Sequence, residues 1–163
     1  MKLTRLVPVA VAAVALLAGC TPTSGTAAVV DGARLSEARV GEIIDGCIAA
    51  SGGTEENFPR RAVVQNFLVA RLFDRVAAEA QDVTTEQLKQ IAQQQYPTFM
   101  ADDACAELAI DSTKVGFLEQ VDRNHVIGQA AAADVELNPR YGAWNPRAEG
   151  LFDSASLSVP AGR

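Results

Sequence analysis

Cys20, Cys47 and Cys105 are the three thiols of this 163-residue chain, and His125 is its one imidazole. A thiol can be acylated, oxidised to a disulfide or used as a metal ligand. The last use needs clustered cysteines and histidines, and the sequence has no Cys-x-x-Cys and no second histidine, so no metal site is expected. A Ser-His-Asp constellation would have to use His125, and no Gly-x-Ser-x-Gly is present. There is no phosphate loop and no Gly-x-Gly-x-x-Gly. Asp102 and Asp103 form an adjacent acidic pair, which reads as a helix start, where carboxylates complement the helix dipole. His125 reads as a packed or surface histidine. The sequence thus points to no catalytic residue, no cofactor and no enzyme.

Cys20 stands apart from the other two cysteines. Lys2 and Arg5 precede an apolar run from Leu6 to Leu17, too short to span a bilayer, which takes about 20 residues. The run ends in Leu17-Ala18-Gly19-Cys20. These four residues resemble the lipobox of bacterial lipoproteins at every position. The resemblance implies acylation of the Cys20 thiol, cleavage after Gly19, and display on the outer face of the plasma membrane. The polar stretch Thr21-Pro22-Thr23-Ser24-Gly25-Thr26 then reads as a tether between lipid and domain. One acyl chain anchors only marginally, at about 0.8 kcal/mol per buried CH₂, so more than one chain is implied.

Outside the plasma membrane, the remaining pair Cys47 and Cys105 invites a disulfide, worth roughly 4 kcal/mol by its loop length. The alternative is two buried free thiols packing as small hydrophobes. The whole chain carries a net charge of −6, and loss of Lys2 and Arg5 makes it more acidic. That argues against nucleic acid and against electrostatic docking on anionic lipid, so the membrane link expected is the covalent one.

Helices must position these residues. Ser36 caps a helix whose Val40, Ile43, Ile44, Cys47 and Ile48 share one face, ended by Gly52-Gly53. Pro59 opens a longer amphipathic helix carrying Val63, Val64, Phe67, Leu68, Leu72, Phe73 and Val76. Thr84 and Gln87 fit a capping box for a third helix, which stops before Tyr96-Pro97. A short helical piece around Asp102–Leu108 holds Cys105, and Asp111-Ser112 is expected to start a long helix reaching about Ala132. Val115, Leu118 and Val121, with His125 or Val126, would form its inner face. Short strands are expected at Ala27–Asp31, with Gly32 as stop, and at Asp134–Leu137. Neither strand is stable separately, so the two are expected to pair.

Three segments together resemble the N-terminal chaperone domain of SurA-type and PrsA-type foldases. They are Ala28-Val29-Val30-Asp31-Gly32 leading into the capped helix, Val83-Thr84 with Glu86, and Val135-Glu136-Leu137-Asn138-Pro139-Arg140-Tyr141-Gly142-Ala143-Trp144. The last looks like the tail of actinobacterial members. The resemblance implies a mainly α fold, a helical module closed by first and last strands, and ATP-independent holding of exported proteins. The chain departs from the family in that the segment between the third helix and Asp111 is far too short to hold a parvulin domain, and His125 is its one histidine, so isomerase activity is not expected.

The resulting expectation is a signal peptide at 1–19, a lipidated tether at 20–26, a helical domain at 27–144 and an extended or disordered tail at 145–163. Unfolded or exported proteins are the expected partners, or else one specific envelope protein. Tyr141 and Trp144 either pack the tail onto the strand pair or offer a recognition surface, since both residue types are favoured at interfaces.

Overall fold

The computed structural model describes residues 25–80 and 83–153. The expected signal peptide and Cys20 lie outside the described residues, as do 154–163. Within them the chain is mainly helical, with a small antiparallel sheet built from its N- and C-terminal strands.

Strand β1 (Thr26–Val30) is the middle of a three-stranded sheet. One neighbour is β3 (Val135–Leu137), with Val29 opposite Glu136, so the expected pairing of the two chain ends forms. The other neighbour, β2 (Ala33–Ser36), was not expected. The first strand does stop at Asp31-Gly32, but the chain turns there into a further strand. Asp31 (φ 48°) and Gly32 (φ 83°) form a two-residue hairpin turn with both φ positive, a geometry that Asp-Gly favours because its twist matches that of the strands. The Asp31 carboxylate accepts a hydrogen bond from the Asp134 backbone N–H (3.0 Å) and pairs with Arg75 (2.7 Å), which ties the turn to β3 and to the second helix.

Helix α1 (Glu37–Ser51) starts at Ser36, whose hydroxyl accepts from the Arg39 N–H, and ends at Gly52 in the left-handed conformation (φ 70°). Helix α2 (Arg60–Ala80) follows Pro59, whose carbonyl accepts from Ala62 and Val63. Helix α3 (Thr85–Gln95) opens on the Thr84–Gln87 capping box. Helix α4 (Asp103–Leu118) carries Cys105 and packs along α2, and α5 (Arg123–Ala132) returns to β3.

The break between the last two helices is not where it was expected. Asp111 and Ser112 lie inside α4, and the chain turns at Glu119–Asp122. Asp-Ser is a good cap pair locally, but here the Asp111 carboxylate is met by Arg71 of α2 (3.3 Å), a partner the local sequence does not reveal. The N–H groups of Gln120 and Val121 bond back to Phe117 and Leu118, tightening the last turn, and the Asp122 carboxylate then caps α5. Residues 145–153, expected as the start of an extended or disordered tail, take up regular structure. Strands β4 (Ala143–Trp144) and β5 (Phe152–Asp153) pair, and the Trp144 and Phe152 rings meet edge-on at 5.4 Å.

Two apolar clusters share α2. Its first half, with Val63, Val64, Phe67 and Leu68, packs with the sheet, α1, Cys105 and Tyr141. Its second half, with Leu72, Phe73 and Val76, packs with Leu88 of α3, Leu118 of α4 and Ala130 of α5.

Candidate functional site

The first cluster is closed by a covalent staple. Cys47 on α1 and Cys105 on α4 form a disulfide, with Cα atoms 4.7 Å apart, and both residues are fully buried. One position earlier on α1, Gly46 faces the start of α4. A Cβ there would overlap the Asp102 carboxylate and stand 3.3 Å from the Ala104 Cβ. That carboxylate is the N-cap of α4, accepting from the Ala104 and Cys105 N–H groups at 2.9 Å each. Asp102 is therefore a cap, in line with reading the acidic pair as a helix start.

Tyr141 belongs to this cluster too. It is 3% exposed, and its hydroxyl donates to Glu37 at 2.6 Å. Burial pushes its phenol pKa up, and the neighbouring Glu37 carboxylate adds to the shift. Of the two roles expected for Tyr141, the buried ring and satisfied hydroxyl fit packing and not an exposed recognition surface. Trp144 is half-buried and packs against both clusters. The structure brings the two residues together as the seam between tail and helices, with no shared exposed face.

A polar seam joins α2 to α4. Asp74 pairs with Arg71 (2.9 Å) and Lys114 (2.8 Å), and Arg71 reaches on to Asp111. Asp111 is 5% exposed. Burial pushes its pKa up to about 6 against the opposing pull of Arg71 and Lys114, and Glu107 and Asp74 add to the rise. Within the seam every charge has an opposite partner, so its direct consequence is to hold two helices together.

The second cluster, by contrast, opens to solvent. A groove of about 510 Å³ runs between the end of α4, α5 and the β4–β5 loop. Val115 and Leu118 come from α4, Val126 and Ile127 from α5, Val121 from the link between them. Val69 of α2 and Ala148, Gly150 and Leu151 of the β4–β5 loop complete the lining. Every large apolar side chain in it is aliphatic. The charged residues at the groove are Glu119, just after α4, and Arg123, the first residue of α5. Among the described residues neither has an ion-pair partner within 4.0 Å. Such a volume and lining are typical of sites that take an apolar ligand with one or two oriented polar groups.

Val115, Leu118, Val121 and Val126, expected as the inner face of one long helix, instead line this groove from two helices and the link between them, and periodicity cannot show that the space they face is unfilled. His125 lies outside this groove, exposed on the first turn of α5. Among the described residues no three His, Cys, Asp or Glu side chains gather where a metal ion could be held, and no helix is long and apolar enough to cross a membrane. Comparison with protein-family models, curated proteins and solved structures finds no match for this chain.

Proposed function

We propose that the chain is a lipoprotein, anchored through Cys20 on the outer face of the plasma membrane, that holds unfolded or newly exported proteins without ATP and without catalysis. The observation that carries this reading is the open aliphatic groove of about 510 Å³ between α4, α5 and the β4–β5 loop. A concave, mostly aliphatic lining of that volume is the kind of site that takes an apolar group. The groove supplies mostly apolar side chains, with Glu119 and Arg123 as its charged ones. A client would therefore insert aliphatic side chains and keep its backbone at the solvated mouth, which favours weak, sequence-tolerant binding. The lipobox-like Leu17-Ala18-Gly19-Cys20 supports the anchor. An adaptor gripping one envelope protein through Tyr141 and Trp144 draws no support from a buried Tyr141.

The test is aggregation suppression by residues 21–163, which hold every described element, with a thermally unfolding client. Suppression near a one-to-one ratio, weakened by Ile127→Glu in a variant that melts like the parent, supports the reading. No effect at several-fold excess sinks it.

A further inference from the structure

We propose that the same groove takes one long acyl chain ending in a carboxylate, a free fatty acid, with Arg123 pairing with the head. This goes beyond polypeptide holding and does not depend on it. The lining is the first ground. Val115, Leu118, Val126, Ile127 and Leu151 present methyl groups, with no aromatic ring among them. A polypeptide can offer the groove only its side chains, because burying a backbone N–H or C=O unpaired is costly. An acyl chain has no such groups and can enter along its length, each CH₂ removed from water favouring binding.

Charge is the second ground. Arg123 stands at the groove with no acidic partner among the described residues. It is also the first residue of α5, where a cation opposes the helix dipole, so it is not there for helix stability. A carboxylate head would give it a charge-assisted hydrogen bond. Glu119 is the opposing charge at the same groove. It repels the anionic head, so removing each charge should have an effect of opposite sign.

The experiment is a titration of residues 21–163 with palmitate, read by displacement of a fluorescent polyene fatty acid, with hexadecanol as the uncharged control. Saturable one-to-one binding is expected. Arg123→Gln should weaken palmitate about tenfold, the loss of one charge-assisted hydrogen bond, and leave hexadecanol unchanged. Glu119→Gln should tighten palmitate alone. Ile127→Glu, checked for an unchanged melting temperature, should weaken both. The proposal is overturned by a lack of saturable palmitate binding, by binding that ignores Ile127→Glu, or by equal effects of Arg123→Gln on acid and alcohol. Suppression of client aggregation without palmitate binding would overturn the fatty-acid site and leave the holding activity intact. Palmitate binding without suppression would do the reverse.

Discussion

Helix α1 buries Val40, Ile43, Ile44, Gly46 and Cys47 and is bonded covalently to α4, whereas α5 buries Ala130 alone, with half-buried Val126 packed against the second cluster. One half of the molecule is filled and stapled, and the other is left partly empty. Both halves lean on α2, which gives Val63 to Leu68 to the first and Leu72 to Val76 to the second. The difference teaches where a small domain can keep an opening. The stapled half carries enough packing and cross-linking to specify the fold, which leaves the groove half free of that duty.

The largest effect should come from breaking the staple. Replacing Cys47 and Cys105 together by Ala should cost about 4 kcal/mol in denaturant unfolding, from the loop entropy restored to the unfolded chain. Because both residues are fully buried, a mild reductant should leave the native bond intact until the domain unfolds, a point that thiol labelling would check. Next comes Gly46→Ala. Its methyl must push Asp102 off the start of α4, so a loss of about 2–3 kcal/mol is expected, combining overpacking with a damaged cap. A loss below half a kcal/mol would show that α1 and α4 tolerate separation and would blur the contrast between the halves.

Asp111 tests the seam between them. Its folded pKa of about 6 lies above its ordinary value of 3.8. The folded state therefore binds the proton more tightly, and the stability this contributes is fully present below pH 4 and is lost as pH rises through 6. Asp111→Asn should remove that slope, a change of about 1–3 kcal/mol between pH 4 and 7 by thermal unfolding at each pH. An unaltered slope would mean that the carboxylate is solvated after all.

The smallest effects belong to the groove half. Gly116 on α4 and Gly128 on α5 are exposed helical glycines with open space where a Cβ would stand. Changing each to Ala should raise stability by about 0.5–1 kcal/mol. If Gly128→Ala stabilised the domain but reduced ligand binding, the looseness of α5 would itself be part of the binding function.

Much of the fold can be read locally because its signals are local. Ser36, Gly52, Thr84 with Gln87, and the apolar spacing from Val40 to Ile48 each declare an element within a few residues. The features that escape are those decided at long range. Asp111 looks like a helix cap until Arg71, forty residues away, supplies its partner. Tyr141 looks like an interface residue until Glu37 accepts its hydroxyl across the molecule. Asp31-Gly32 does carry a local signal, the two-residue hairpin turn, hidden by the shortness of the strand that follows it. The groove is the least legible feature, because Val69, Leu118, Ile127 and Leu151 reach it from four separate segments, and periodicity reports the direction of a side chain but not whether the facing volume is filled.

The position of β1 has a mechanical consequence. The chain enters the domain at its central strand, hydrogen-bonded on one side to β2 and on the other to β3, with the Gly25 carbonyl held by the Glu37 N–H at the point of entry. A pull on the N-terminal segment is therefore directed along a strand gripped on both edges. Its bonds must yield together in shear, not one after another as in peeling, so the sheet can bear tension delivered through its own leading end.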